Sequence, residues 1–255
     1  MNRKIARYGW IPDLPDHRDH LFAAPAAVQA KLPAKVDLRP QCPPVLDQGE
    51  LGSCTANAIG NAHRFDQMKQ KAAEVFMPSR LFIYYNERAM EGTVSSDSGA
   101  MIRDGIKSIA QLGVCDETAW PYDITKFKTK PSAALYKKAL GHQALTYRRL
   151  LQSTAQMKGC LASGYPFVFG FSVFESFESA AVAKTGTVPM PGASEKSLGG
   201  HAVLAVGYDD ATQRFTVMNS WSAKWGAKGY FTIPYAYLAD EGLASDFWTI
   251  STVEV

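Results

Sequence analysis

The sequence predicts an α+β fold of two lobes, a helical lobe in the first part of the chain and a β-rich lobe in the second. Up to about residue 160 the apolar residues recur three or four positions apart, as they do along one face of a helix. Beyond that point they alternate with a period of two, which is typical of antiparallel strands. With 255 residues the chain is long enough for two lobes that share a cleft.

Each predicted element is supported by its own local signals. The first strong helix follows Ser53, Gly113 ends the third, and Ser153 with Gln156 form a capping box at the start of the fourth. A hairpin loop is predicted over 209–213. The predicted helices are 53–70, 79–90, 98–112 and 153–163, and the predicted strands are 167–173, 201–208, 214–218, 229–233 and 247–253.

The composition is that of an ordinary globular protein and excludes disorder and collagen. The 27 basic and 24 acidic side chains give a net charge of +3 without a long basic run, so we expect no nucleic-acid partner. No apolar stretch approaches the roughly 18 residues of a membrane span, and the basic N-terminus is not followed by the apolar region of a secretory signal. We therefore expect no membrane partner and, by default, a cytoplasmic location, with export by another route or as a processed form left open.

Residues 1–34 are rich in Pro, Asp and Ala and show no sustained period, so we expect an extended arm without a packed element. Its segment 10–20 contains carboxylates and imidazoles, but their spacing matches no known ligand pattern. Two prolines there favour turns in which Asp side chains cap backbone amides, and Arg18 is a ready partner for the acids. We predict neither a metal site nor a cofactor.

Four cysteines are too few for a disulfide scaffold, and no two of them form a CxxC pair. Cys54 lies at the start of the first strong helix, where the helix dipole favours an anion and lowers the pKa of a thiol. A buried structural cysteine is nevertheless the commoner interpretation of a single Cys. Cys160 is expected to be a small buried apolar residue in its helix, and the redox states of Cys42, Cys115 and Cys160 stay open.

Two later segments favour a catalytic interpretation of Cys54. His201 stands at the mouth of an apolar strand, and two preceding glycines allow a substrate backbone to approach its imidazole. Asn219 ends the next strand and can orient the imidazole, while Trp221 can keep water away from that hydrogen bond.

The order Gln48, Cys54, His201, Asn219 resembles the papain family of cysteine peptidases, in a bacterial type with a short N-terminal extension. The motifs are Gln-x5-Cys, Gly-His-Ala-Val-x2-Val-Gly-Tyr and Asn-Ser-Trp-x3-Trp-Gly-x2-Gly-Tyr. The resemblance runs from about Leu32 to the C-terminus, and the Cys-to-His separation is within the roughly 130–150 residues of that family. It implies a papain-like fold, with Cys54 in a helical left lobe, His201 in an antiparallel β-rich right lobe and the active-site cleft between them.

The resemblance also implies roles for individual residues. Cys54 corresponds to the nucleophile, His201 to its base and Asn219 to the residue that orients His201. The Gln48 side-chain amide and the Cys54 backbone N–H correspond to the oxyanion hole, and Trp221 to the supporting indole. The implied reaction is hydrolysis of peptide bonds through a thioester. The implied substrate-binding residues are Ser98, Gly99 and Gly200.

The chain departs from the family pattern on both sides of the nucleophile. Leu51 stands where the family has a disulfide cysteine, so that bridge cannot form, and Thr55 replaces the usual aromatic residue. Only about 34 residues precede the peptidase domain, which we place at 35–255. We hypothesise that residues 1–34, anchored by Trp10, Ile11 and Leu14, partly cover the cleft. The alternative is that this extension only staples the two lobes.

The predicted function is a monomeric cysteine peptidase acting on peptide or protein substrates, most simply an endopeptidase. One alternative keeps the same Cys and His but transfers the acyl group elsewhere, as in amidases and acyltransferases. Another is a catalytically inactive papain-like binding module, although all four catalytic positions are intact.

Overall fold

The computed structural model of the protein describes residues 8–254, so residues 1–7 of the predicted extension and Val255 lie outside the described residues. Helices dominate the first part of this range and an antiparallel sheet dominates the second, which confirms the predicted α+β fold. No helix among the described residues is both long and apolar enough to span a bilayer.

The helical lobe is built on α2, which is buried along almost its whole length. Its alanines and a glycine let its neighbours approach closely, and its buried polar side chains include Asn57, His63 and Asp66. It packs on α3 and α4 on one side and on the sheet on the other. Within residues 8–254 the helices are α1 Ala26–Ala30, α2 Cys54–Lys69, α3 Arg80–Met90, α4 Ile102–Leu112, α5 Ala133–Ala139, α6 Thr154–Ala162, α7 Ala180–Thr185 and α8 Tyr235–Ala239.

The second lobe is a seven-stranded antiparallel sheet in the described part of the chain, with the order β4-β9-β5-β6-β7-β8 and β2 beside β6. Strands β6 and β7 form the predicted hairpin. A separate two-stranded sheet pairs β1 with β3 in parallel. The strands are β1 Trp10–Ile11, β2 Lys35–Asp37, β3 Ala100–Met101, β4 Ala144–Arg149, β5 Phe167–Phe174, β6 Ser197–Asp209, β7 Arg214–Met218, β8 Tyr230–Pro234 and β9 Ala244–Val253.

Strand β5 lies at the centre of the sheet and holds β6 in register. Its alternating residues Phe167, Phe169 and Phe171 point to one face and are fully buried. Phe171 lies directly opposite His201 on β6, and the centroids of the two rings are 5.8 Å apart. The strand that carries His201 is therefore held in register by a fully buried neighbouring strand.

Three local predictions were wrong. The third helix begins at Ile102 instead of Ser98, because 100–101 extend as β3 to pair with the arm. The capping box at Ser153 does not form, since its side chain accepts no hydrogen bond from the helix start. The extension is not free of packed elements, because it contains β1 and α1.

Candidate active site

Cys54 is the first residue of α2 and lies against strand β6 of the other lobe. Its sulfur lies beside the backbone of Ala202, the residue that follows His201. The loop before it is fixed by Asp97, whose carboxylate accepts from the Gly52 N–H at 3.1 Å. The helix start thus presents the thiol to the strand that carries the imidazole.

The His201 ring is oriented by Asn219. The Nε2 atom of His201 lies 2.8 Å from Asn219 Oδ1, which also accepts from the Ser220 N–H at 2.8 Å. An amide oxygen can only accept, so Nε2 carries the proton and Nδ1 is the atom able to take another one. Among the described residues Nδ1 has no hydrogen-bond partner. The Trp221 indole lies over the ring, with centroids 5.1 Å apart.

Gln48 joins the two lobes through its side chain and its backbone. Its Oε1 accepts from Ser220 Oγ at 2.6 Å, and its backbone N–H donates to the Ser220 carbonyl at 2.8 Å. Its Nε2 donates to the Leu51 carbonyl at 2.9 Å. Because a side-chain amide has two N–H donors, a second N–H of Gln48 is available for another acceptor.

The arm runs through the cleft as β1, in contact with both walls. The Gly9 carbonyl accepts from the Ala100 N–H at 2.8 Å. A Cβ on Gly9 would lie 1.7 Å from the Gly52 carbonyl oxygen, and one on Gly99 would lie 2.2 Å from the Gly9 oxygen. Glycine is therefore required at both positions for the arm to approach the backbone of the cleft so closely.

Trp10 fills a pocket floored by two glycines. A Cβ on Gly170 would lie 2.0 Å from the indole, and one on Gly200 would lie 2.5 Å from it. The indole Nε1 donates to the buried carboxylate of Asp246 at 3.1 Å. The pocket thus combines apolar walls with one hydrogen-bond acceptor at its end.

Tyr8 covers the histidine. Its ring meets His201 edge-on with centroids 6.0 Å apart, and its hydroxyl donates to Glu178 at 2.5 Å. Cys54 and His201 have no exposed surface. Residues 8–11 of the arm therefore lie over both groups that the sequence singles out for catalysis.

A family model described as "Papain family cysteine protease" matches residues 32–247. The chain belongs to the papain family. It is 47% identical over 96% of its length to an uncharacterized peptidase C1-like protein of Acanthamoeba polyphaga mimivirus, covering 87% of that protein. It is 30% identical to a cathepsin B-like protein, CP3, of Giardia intestinalis, over 82% of this chain and 70% of that one. The crystal structure of xylellain, a cysteine protease from Xylella fastidiosa, superposes with a TM-score of 0.92 at 45% identity, covering 99% of this chain and 98% of that one.

These similarities confirm the family predicted from the motifs and establish a cysteine peptidase that hydrolyses peptide bonds. Peptides or proteins are accordingly its substrates.

The predicted lowering of the Cys54 thiol pKa was wrong for the covered cleft. Burial raises the pKa of the Cys54 thiol to about 12, although hydrogen bonding from Ala202 and Gly9 opposes the rise. Burial also lowers the pKa of the His201 imidazole to about 4, although the hydrogen bond that His201 donates to Asn219 opposes the fall. Desolvation disfavours both charged forms, and at Cys54 it is larger than the opposing backbone hydrogen bonds. At neutral pH the covered pair is therefore a thiol and a neutral imidazole.

Beyond the cleft the arm is clamped by ion pairs. Asp13 accepts from the Arg103 backbone N–H at 3.0 Å and from Trp248 Nε1 at 2.9 Å. Arg103 also pairs with Asp19, and Arg149 binds the same carboxylate at 3.2 Å. The arm from residue 13 onward is thus part of the folded body.

The acids of segment 10–20 are engaged by arginines, as the pairing of Asp16 with Arg18 shows. Within residues 8–254 no group of three or more His, Cys, Asp or Glu side chains is placed to hold a metal ion. Trp10 is buried, but Leu14 is 67% exposed, so the prediction that Leu14 anchors the arm was wrong.

The predicted substrate-binding residues divide into two groups. Gly99 and Gly200 touch the arm, whereas the Ser98 hydroxyl donates to Thr93 Oγ1 at 2.9 Å and supports its loop from within. All four cysteines are free, and Cys160 is buried in α6 as expected. The motifs did not point to three further residues of the site, because isolated polar or aromatic residues have no diagnostic spacing. They are Tyr8, Tyr122 and Asp246.

Proposed function

We propose that this protein is a latent papain-type endopeptidase whose N-terminal arm occupies its own cleft. The observation that carries the proposal is the course of residues 8–11 over Cys54 and His201. The alternative role for the arm, stapling the lobes, is supported by the clamp from residue 13 onward. The two roles belong to successive segments of one arm, a plug over 8–11 and a clamp over 13–22.

With the plug displaced, water reaches the Cys54–His201 pair and both pKa values relax, so that His201 Nδ1 takes the thiol proton. The thiolate attacks the peptide carbonyl carbon, and the carbonyl oxygen becomes an oxyanion. The Gln48 amide and the backbone N–H of Cys54, an N-terminal N–H of α2 without an intrahelical acceptor, donate to that oxygen. His201 then protonates the departing amine, and water hydrolyses the thioester to restore the thiol. Asn219 holds the imidazole in place throughout.

The endopeptidase mode is supported by the way the arm crosses the cleft. Residues 8–11 are internal to the chain, which continues beyond them in both directions. An internal stretch of this chain therefore lies in the cleft, which supports binding of an internal stretch of a substrate.

A digest of matched peptides tests this mode. In the Trp10→Ala variant, in which the plug does not limit the rate, we expect peptides blocked at both termini to be cleaved at internal bonds at rates within a few fold of their free-ended counterparts. A thiol-directed peptidyl epoxide should abolish the cleavage and label Cys54. Cleavage restricted to free termini would contradict the endopeptidase proposal. Labelling without cleavage would favour an acyltransferase or amidase, and no preferential labelling would favour a binding module.

The pocket that Trp10 vacates predicts a side-chain preference next to the cleavage site. Its walls suit a long or flat apolar body, and Asp246 accepts from a donor at the tip. We therefore expect a preference for Arg or Trp over Leu at the substrate position bound there. Because a hydrogen bond to a charged group contributes about 1.5–3 kcal/mol, Asp246→Asn should lower the ratio of kcat/KM for Arg over Leu peptides by about tenfold.

The ratio is the quantity to measure, because Asp246 also binds Arg149 at 3.1 Å and the Asp13 N–H at 2.8 Å. Any loosening of the arm changes kcat/KM for both peptides alike and cancels in the ratio. Asp240→Asn, at a side chain that only caps the Gly242 N–H at 2.8 Å in an exposed turn, is the matched control. An unchanged ratio in Asp246→Asn would refute the assignment.

A further inference from the structure

We propose that Tyr122 is a positioning residue that holds the oxyanion hole in shape. It lies outside the motifs that define the site, in an irregular segment after α4. Its hydroxyl reaches the short segment between Gln48 and Cys54, the two residues assigned to the oxyanion hole. The inference rests on the proposed function, because it concerns a step in which an oxyanion forms.

The hydrogen bonds around the Tyr122 hydroxyl have one consistent direction. The hydroxyl lies 3.0 Å from the Gln48 carbonyl oxygen, which can only accept. It lies 2.5 Å from Ser53 Oγ, and since its own proton is used on Gln48, Ser53 must be the donor there. Asn57 Nδ2 in turn donates to Ser53 Oγ at 3.2 Å and to the Ser53 carbonyl at 2.9 Å. Each donated proton in this series of hydrogen bonds has an acceptor, which is the condition under which a buried polar network rigidifies a site.

A buried arginine supports the network from below. The Arg80 guanidinium lies 3.8 Å from the centroid of the Tyr122 ring. It donates to the Asp47 carbonyl and to Asn57 Oδ1, both at 3.0 Å, and it pairs with Glu117 at 2.8 Å. One fixed cation thus locates the tyrosine ring, the residue before Gln48 and the asparagine behind Ser53.

The segment is therefore tied at both of its functional ends. The Gln48 backbone is held by Tyr122 and its side chain by Ser220, while Ser53, which precedes the Cys54 N–H, is held by Tyr122 and Asn57. The two donors must meet one oxyanion at about 2.7–3.1 Å, so small shifts between them weaken transition-state binding. The tyrosine hydroxyl couples the two donors without touching the thiol or the imidazole.

The test compares Tyr122→Phe with its parent, and both carry Trp10→Ala so that the plug does not limit the rate. Phenylalanine keeps the ring over Arg80 and removes only the hydroxyl. We expect kcat for a blocked peptide to fall about tenfold with KM changed less than twofold. The rate of Cys54 alkylation by iodoacetamide, and its pH profile, should stay unchanged, because alkylation forms no oxyanion. Ser53→Ala removes the same hydrogen bond from its other side and should reproduce the effect.

Tyr136→Phe is the matched control, since its hydroxyl donates to Asn86 at 2.6 Å, and it should keep the parental kcat. If the Tyr122→Phe enzyme has the parental kcat, this inference is overturned and the proposed function stands. The inference is also overturned by a variant in which alkylation falls together with kcat, because the whole site has then been deformed. A parent that alkylates at Cys54 but cleaves no peptide overturns the proposed function, and this inference with it.

Discussion

Replacing Cys54 by alanine is expected to lower kcat/KM for peptide hydrolysis by about 10⁴-fold or more. Without the sulfur no thioester forms, and the remaining oxyanion donors supply only the residual catalysis that such sites keep over water. The measurement is cleavage of a blocked fluorogenic peptide by the variant and its parent at equal concentration, with contaminating thiol peptidase removed by titration. The substitution removes one buried sulfur atom, so the fold should persist.

The control for this variant is Cys160→Ala. Both cysteines are fully buried in helices, but the Cys160 sulfur donates to the Tyr165 carbonyl at 3.4 Å, in α6 and its following turn. We expect Cys160→Ala to retain parental kcat/KM and to lose only some free energy of unfolding. If Cys160→Ala were inactive, or if Cys54→Ala still cleaved the peptide, the assignment of Cys54 as the nucleophile would be wrong.

Replacing Trp10 by alanine is expected to raise kcat/KM by about 10²-fold. A Trp-to-Ala change at a buried site costs about 3–5 kcal/mol, and here that energy holds the plug in its pocket. About 1.4 kcal/mol corresponds to a factor of ten in an equilibrium constant. The population of the open form relative to the closed form should therefore rise at least 100-fold. The measured rise stops once the open form dominates.

Cys54 alkylation at pH 7 gives a second, independent reading of the same change. In the closed chain burial raises the thiol pKa to about 12, so almost no thiolate is present at neutral pH. Opening the cleft lets the pKa fall, and the alkylation rate should rise with kcat/KM. Leu14→Ala, a change at an exposed side chain of the same arm, should alter neither rate. Parental rates in Trp10→Ala would show that the arm only braces the lobes.

Point substitutions test the role of the arm in the cleft more specifically than deletion of the whole extension does. A Cβ on Gly159 of α6 would lie 2.5 Å from the Gln29 side chain and 2.7 Å from that of Ala24, so this later part of the arm packs closely on the second lobe. Removing residues 1–34 would strip that contact along with the clamp. Lost activity would then report misfolding and reveal nothing about the cleft.

Hydrophobic period and motif order predicted much of the molecule, because both depend on local spacing. The helix after Ser53 and the strand carrying His201 were predicted to within a few residues. The order Gln48, Cys54, His201, Asn219 named groups that the fold brings together. The paired strands Trp10–Ile11 and Ala100–Met101 were not predicted, because two-residue strands have no period and exist only where the arm meets the cleft.

The remaining errors have a common physical origin in tertiary contacts. The helix dipole at Cys54 is a local property, whereas the burial that raises its pKa depends on a segment more than forty positions earlier in the sequence. Asp246 and Tyr122 are single residues in ordinary surroundings, and only the folded chain shows that one ends the Trp10 pocket and the other touches Gln48.

The clamp over residues 13–22 makes the plug a tethered competitor. A plug that leaves the cleft stays attached to the same molecule, so its return is a unimolecular step governed by an effective concentration that short flexible tethers set in the millimolar range. Dilution therefore does not relieve the block, in contrast to the effect of dilution on a separate inhibitor. On the proposed function, a substrate gains access only by outcompeting the plug, so weakly bound or scarce substrates would be turned over least.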